Sequence, residues 1–141
     1  MMREIFLYRI SPMTLIEYSH KPRRRRQPAA RNEIARLCWL MEEAVAVAFA
    51  VPADELRAPS RRSAGAAFAR QSAMYLAHVA LGLSFSAVGR IFHRHRTTAA
   101  HACRLVESRR DDPTIDRSLC MLEGVSAGLR RDSLARSPVR P

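Results

Sequence analysis

The stretch 66–81, AAFARQSAMYLAHVAL, constrains the fold of this chain more than any other. At helical spacing, Phe68, Tyr75 and Val79 fall on one side of it, and alanine and leucine side chains fall on another. A helix that is apolar on two sides leaves too much apolar surface in water if only one side is covered. We therefore predict a helix over 66–81 that lies at the centre of the protein, between other helices.

Four further helices are predicted around this one from apolar periodicity and from capping or helix-breaking residues. From cap to approximate end they are Asn32 to Pro52, Ser84 to Phe92, Thr97 to Arg110 and Thr114 to Leu129, with one short turn at 53–56. Gly82 is expected to end the central helix. Aromatic residues make up only 6% of the chain, which favours helices over a sheet. The expected fold is all-α, a compact domain of about five helices.

The residues HRHR at 93–96 separate the short helix from the longer one that follows it. A short helix, a turn of about four residues and a longer helix form the spacing of a helix-turn-helix. The second helix of that motif enters the major groove of DNA with its N-terminus first. This pattern predicts a DNA-binding motif over 84–110.

The distribution of charge along the chain also favours nucleic acid as the partner. The chain carries 24 Lys and Arg against 13 Asp and Glu, for a net charge of +11. From Leu56 to Val106 there are eight arginines and no acidic residue. Because a solvated surface normally mixes both signs, a long stretch of one sign indicates a polyanionic partner. Nucleic acid is the favoured partner, and an anionic membrane surface is the alternative.

The two ends of the chain differ from its middle. Residues 1–30 contain four adjacent arginines and two prolines in SHKPRRRRQPAA, and we expect a basic, flexible arm there. Residues 31–130 are expected to form the helical domain, and 131–141 a disordered tail. Cys38, Cys103 and Cys120 are odd in number and widely spaced, which is typical of small buried side chains in a reducing compartment. With no apolar run long enough for a bilayer or a secretory signal, we expect a cytoplasmic protein of the nucleoid.

Histidines and a cysteine near the turn raise two other hypotheses. His93, His95, His101 and Cys103 offer enough nitrogen and sulfur ligands for zinc. His101 and Cys103 are two residues apart, however, so a helix turns them in different directions. A catalytic histidine would need an orienting carboxylate or amide, and this stretch contains no acidic residue. We therefore predict neither a metal site nor an enzyme, and no cofactor or small-molecule substrate.

A DNA-binding motif accounts for all of the residues around the turn. Thr97 and Thr98 begin the second helix, where hydroxyls and free backbone N–H groups suit phosphate oxygens. Arg96 and His95 are placed to reach base edges, where arginine pairs with guanine. Arg96 as a phosphate contact is the alternative. The candidate contacts in this motif are Arg90, Arg94, His95, Arg96, Thr97, Thr98 and His101.

Three segments resemble the C-terminal DNA-binding domain of the bacterial replication initiator DnaA. They are RRS at 61–63, ARQSAMYLAHVALGLSFSAVGRIF at 69–92 and RTTAAHACRLVESRR at 96–110. The resemblance extends from about residue 43 to 129. It implies a small all-helical domain of the Trp-repressor and DnaA type, whose helix-turn-helix binds double-stranded DNA.

The resemblance also implies roles for individual residues. Arg61 and Arg62 lie in a basic loop, and Arg62 matches an arginine that enters the minor groove in the family. Arg70 and Gln71 match residues that contact the DNA backbone. Thr97, Thr98 and His101 match the tandem threonines and the histidine of the recognition helix.

Two departures from the family pattern F-G-G-R-D-H-T-T-V-x-H-A affect recognition. One glycine of the turn is missing, and His95-Arg96 stand where the family has Asp-His. Because His95 replaces an aspartate, which only accepts hydrogen bonds, and Arg96 replaces a histidine and adds charge, we expect the preferred bases to change. The sequence also has no Walker A motif, so no ATPase activity is expected.

The leading hypothesis is therefore a sequence-preferring reader of duplex DNA that regulates transcription or replication. One alternative is a protein-interaction module that docks a partner through its first helix, with Trp39 as the anchor. Another is a non-specific DNA coater that depends on residues 1–30. The chain is expected to be a monomer or a weak dimer.

Overall fold

The computed structural model describes residues 28–60 and 63–136, and these two ranges contain six helices joined by short connections. In chain order they are α1 (Pro28–Ala48), α2 (Ala53–Arg57), α3 (Ala64–Val79), α4 (Phe85–Ile91), α5 (Arg96–Arg109) and α6 (Pro113–Arg136). No strand occurs in these two described ranges, so the predicted all-α fold is confirmed. The helix beyond the expected five is α2, which occupies the predicted short turn. Within the same ranges, no helix has the length and apolar character needed to cross a bilayer.

The predicted central helix is confirmed, because α3 contacts all five of the other helices. Its small side chains Ala66, Ala69, Ala73 and Ala77 are fully buried. Ser63 caps its first turn, where the hydroxyl oxygen accepts a hydrogen bond from the N–H of Ala66 at 3.1 Å. Small side chains let neighbouring helices approach closely, so the other helices pack directly against α3.

The core combines side chains from every helix around α3. Its large buried members are Leu37, Met41 and Val45 of α1, Leu56 of α2, Met74 and Leu76 of α3, Val88 of α4, Val106 of α5, and Leu119 and Leu122 of α6. The expected core residues Val88 and Phe92 of the short helix are buried, and Phe85 packs partly against them. One continuous apolar cluster therefore holds the helix-turn-helix to the rest of the domain.

Several predicted helix ends are wrong. The first helix begins at Pro28 rather than at Asn32, since proline is tolerated in the first turn of a helix. The last helix continues to Arg136, so residues 131–136, predicted to belong to a disordered tail, are helical. Here Ser133 donates a hydrogen bond to Glu33 at 2.7 Å, which ties the end of α6 to the start of α1. The arm at 1–27 and the tail at 137–141 lie outside the described residues.

Arg110 joins the end of α5 to α3 and α6. Its guanidinium donates to Asp116 at 2.7 Å, to the hydroxyl of Tyr75 at 2.8 Å and to Glu123. Burial opposes the charge of Arg110, but the bonds from Glu123 and Asp116 outweigh it and raise its pKa. The prediction that Cys120 is buried is wrong, because its thiol lies on the surface beside this cluster, 3.1 Å from the Arg110 Nη2.

The turn between α4 and α5 is held in close contact with α4. A Cβ at Gly89 would lie 2.6 Å from the carbonyl oxygen of Arg94 and 3.2 Å from the nitrogen of Arg96. His93 adopts φ 52°, a left-handed conformation that histidine enters more readily than most residues. It occupies the part of the turn where the family pattern has glycine. Gly82, the predicted end of the central helix, also has a left-handed φ of 68°.

Replacing Gly89 with alanine should destabilise the protein by about 1–3 kcal/mol, because the new methyl group overlaps the turn backbone. Gly124→Ala is the matched control, since no atom lies within 4 Å of a Cβ at this helical position. That change should stabilise by about 0.4–1 kcal/mol. Urea unfolding monitored by circular dichroism measures both, and equal midpoints for the two variants would contradict the close packing of the turn.

Candidate nucleic-acid interface

One face of α5 points away from the core. Ala99, Ala102, Cys103 and Val106 of this helix are buried. At about 100° per residue, the opposite face carries Thr97, His101, Arg104 and Ser108, and all four are exposed. The sequence analysis missed Arg104. Its spacing of i+7 from Thr97 and i+3 from His101 was the signal that placed it on this face.

The prediction that Thr97 caps α5 is wrong, because the cap is His95. The Nδ1 atom of His95 lies 2.8 Å from the hydroxyl oxygen of Thr97 and 3.3 Å from its backbone nitrogen. The imidazole therefore satisfies one of the N–H groups that a helix leaves free at its beginning. Thr97 provides the backbone N–H group that donates to this cap.

Five of the predicted contact residues lie together at this end of α5. They are His95, Arg96, Thr97, Thr98 and His101, and each is exposed. The first turn of the helix contains no acidic residue. Within the described part of the chain, neither Arg96 nor Arg104 takes part in an ion pair. The helix dipole adds partial positive charge at the same place, so this surface favours an anion.

Arg94, unlike its exposed neighbours His95 and Arg96, donates hydrogen bonds to backbone carbonyl groups of the protein. Its Nη2 donates to the carbonyl oxygens of Ala58 at 3.1 Å and Pro59 at 3.3 Å, and its Nη1 donates to that of His93 at 3.2 Å. These bonds connect the helix-turn-helix to the segment that follows α2. The predicted contact of Arg94 with DNA would have to share the guanidinium with these carbonyl groups.

Arg70 is buried, with 9% of its surface exposed. Its Nε donates to the carbonyl oxygen of Leu56 at 2.7 Å and its Nη2 to that of Glu55 at 3.0 Å. Burial lowers the pKa of Arg70, and the nearby positive charge of Arg94 lowers it further. Arg70 therefore donates to two backbone carbonyl groups of the last turn of α2, and the one of Glu55 also accepts from the N–H of Ala58.

Arg70 holds residues 55–56 against α3, and Arg94 holds residues 58–59 against the helix-turn-helix. Arg57 fixes the same segment from the other side, through bonds of 2.8 Å to Glu42 and to Glu43 of α1. The candidates Arg61 and Arg62 follow this segment and lie outside the described residues. The segment that leads to them is thus fixed relative to α5 by hydrogen bonds from charged groups.

The two remaining candidates flank this region. Arg90 is exposed in the last turn of α4. Gln71 is half-buried and lines an open groove of about 410 Å³ between α3 and α5, with Ser63, Phe68, Leu105 and Arg109. In that groove the Arg109 guanidinium lies 5.4 Å from the centre of the Phe68 ring. Gln71 therefore lies deeper than the residues at the start of α5.

His101 and Cys103 face different directions, as their spacing predicts. His101 is exposed, whereas Cys103 is buried and its burial raises the pKa of the thiol to about 12. A protonated thiol in the core is a poor metal ligand or nucleophile. Within residues 28–60 and 63–136, no three His, Cys, Asp or Glu side chains come together in a way that could hold a metal ion.

Replacing Arg70 with methionine should destabilise the protein by about 3 kcal/mol, because the buried carbonyl group of Leu56 and the partly buried one of Glu55 lose a charged donor. Arg90→Met removes an exposed arginine and should change stability by less than about 0.5 kcal/mol. Chemical denaturation of both variants provides the comparison. Equal stability of the two would mean that Arg70 is free to act at the surface.

Two comparisons with known proteins bear on this geometry. A family model described as the bacterial dnaA protein helix-turn-helix matches residues 40–106, from within α1 to near the end of α5. A crystal structure of a DNA replication initiation factor is 25% identical over 71% of this chain, with a TM-score of 0.63. No curated protein sequence matches the chain.

This chain spans 31% of the length of that initiation factor, so the comparison concerns one domain of it. The matched region contains the central helix α3, the short helix α4, the turn and most of α5. The predicted resemblance is confirmed by both comparisons. Residues 40–106 are therefore similar to the bacterial dnaA protein helix-turn-helix.

Proposed function

We propose that the chain is a sequence-preferring reader of double-stranded DNA that inserts the N-terminus of α5 into the major groove. The observation that carries this proposal is the exposed surface formed by His95, Arg96, Thr97, Thr98 and His101. Arg96 gives this surface a positive charge, and no acidic residue stands in the first turn of the helix. A helix that begins in this way presents side chains to base edges and backbone N–H groups to phosphates.

Different residues of this surface serve affinity and specificity. The Arg96 fork fits the O6 and N7 acceptors of guanine, and the Thr98 methyl group fits that of thymine. Arg104 lies two turns further along the same face, where its long side chain suits a phosphate oxygen. We also propose that Arg61 and Arg62 reach DNA from the segment held by Arg70 and Arg94, with Arg62 in the minor groove.

A regulatory role follows from this type of binding. The activity proposed for this helix-turn-helix is occupancy of a DNA site. We propose that the chain acts as a monomer or a weak dimer that regulates transcription or replication by binding, without ATPase activity. The basic residues 1–30 would add affinity that depends strongly on salt.

Selection from a random duplex library at near-physiological salt is the first test, and one enriched motif is expected. On that motif, Arg96→Ala should cost about 1–3 kcal/mol and relax the preference at one base position. Arg117→Ala removes an exposed arginine on α6 and should leave both affinity and preference nearly unchanged. Retention of all sequences alike would instead support non-specific coating, and no retention would exclude DNA as the partner.

Arg104→Ala should weaken binding to every sequence by a similar factor and reduce the salt dependence by the loss of about one phosphate contact. Fluorescence anisotropy at several salt concentrations gives the slope of log affinity against log salt. Ser108→Ala lies on the same face without a charge and serves as the control. A change of base preference in Arg104→Ala would contradict a phosphate contact.

Exposed apolar side chains on α1 support a second candidate function, docking of a protein partner. Trp39 is 52% exposed and Val47 is 82% exposed. The Arg57 guanidinium covers one face of the Trp39 ring at 5.4 Å and leaves the rest open. Trp39→Ala separates the two functions, because DNA binding should survive it whereas docking through α1 should not.

A further inference from the structure

We propose that His95 reads the hydrogen-bond acceptors of a base through its Nε2–H group, and thereby selects guanine, thymine or adenine against cytosine at one position of the DNA site. This inference rests on the proposed function and specifies the chemistry of its base recognition. It follows from the way in which His95 caps α5.

The cap decides which ring nitrogen carries the proton. Nδ1 of His95 lies 3.3 Å from the backbone nitrogen of Thr97, and a backbone N–H only donates. Nδ1 must therefore accept, which requires its lone pair to be free of a proton. The hydroxyl oxygen of Thr97 lies 2.8 Å from the same atom, and because an unprotonated Nδ1 cannot donate, the hydroxyl is the donor of this bond. In the neutral imidazole the other nitrogen, Nε2, then bears the hydrogen.

The two ring nitrogens lie on different edges of the imidazole. Because Nδ1 faces the first turn of α5, the Nε2 edge faces away from the helix. His95 is exposed, and no hydrogen bond to its Nε2 occurs within residues 28–60 and 63–136. His95 therefore presents a donor, and only a donor, in front of the helix N-terminus that enters the groove.

Thr97 presents an acceptor beside the donor of His95. Its hydroxyl hydrogen is directed to Nδ1 of His95, so the lone pairs of its oxygen remain available as acceptors. A donor from His95 and an acceptor from Thr97 thus stand side by side at the start of α5. The cap fixes both roles, because a hydrogen on Nδ1 of His95 would break the bond from the backbone N–H of Thr97.

The major groove distinguishes the bases by this polarity. Guanine presents the acceptors N7 and O6, adenine the acceptor N7, and thymine the acceptor O4, whereas cytosine presents the N4 amino group as a donor. A donor that faces another donor leaves both without a partner when water is excluded. We expect cytosine to be bound about 10-fold or more weakly at the position that His95 faces.

Two substitutions test the polarity while preserving the cap, since Asp and Asn are both good N-cap residues. His95→Asp presents a second carboxylate oxygen to the groove, an acceptor, and should shift the preference at that position toward cytosine. His95→Asn caps with its oxygen and presents its amino group, a donor, so it should keep the preference against cytosine. His95→Ala identifies the position, because preference should be lost only there.

The measurement is selection from a random duplex library, followed by affinities on four duplexes that differ at the position identified. Opposite preferences of His95→Asp and His95→Asn would support the inference. A wild-type preference for cytosine, or an enriched motif that His95→Asp leaves unchanged, would overturn it and leave the proposed function intact. No enriched motif for the wild-type protein would overturn both.

The protonated nitrogen can also be observed without DNA. Long-range ¹H–¹⁵N correlation spectra distinguish the two neutral forms of an imidazole, and at mildly alkaline pH we expect the Nε2–H form for His95. Thr97→Val removes the hydroxyl donor while keeping the backbone N–H, and the Nε2–H form should persist. An Nδ1–H form in the wild-type protein would overturn the inference whatever the DNA measurements show.

Discussion

The rest of the structure depends on the close approach of helices to the small side chains of α3. Ala69, Ala73 and Ala77 are fully buried and belong to the same apolar cluster as Ala99 and Ala102 of α5. Because these side chains are short, the recognition helix lies directly on the central helix and has its opposite face free. A larger residue at such a position would displace α5, and with it every side chain that faces DNA in the proposed complex.

The arginines that appear as one basic stretch in the sequence have two different roles in the structure. Arg57, Arg70 and Arg94 are bound by carboxylates or by backbone carbonyl groups of the domain itself. Arg96 and Arg104 have no ion-pair partner within the described ranges and remain on the outer face of α5. The first group stabilises the segment beside the recognition helix, and the second group is available to a polyanion.

The turn shows how a departure from a family pattern is accommodated. His93 takes the left-handed conformation for which glycine is the usual residue. Gly89 lets the turn approach α4 so closely that no Cβ would fit. His95 then reaches the start of α5 and caps it. The shortened turn therefore keeps the geometry of a helix-turn-helix, while it replaces the chemical groups that the turn presents.

The sequence by itself determined the all-α fold, the central position of α3 and the helix-turn-helix. These depend on local periodicity and on caps such as Ser84, whose side chain accepts from the N–H of Ala87 as predicted. It also placed His95 to His101 at the start of the recognition helix. Such features follow from residues close together in the chain, where spacing alone decides which side chains share a face.

Only the tertiary structure decided which polar side chains are available. The carbonyl groups of Leu56 and Ala58, which Arg70 and Arg94 bind, lie 14 and 36 positions away in the chain, and no local pattern marks them. The extension of α6 to Arg136 likewise depends on its contact with α1, through Ser133 and Glu33. A buried acceptor must find a donor wherever the fold brings one near, and that pairing exists only once the helices are packed.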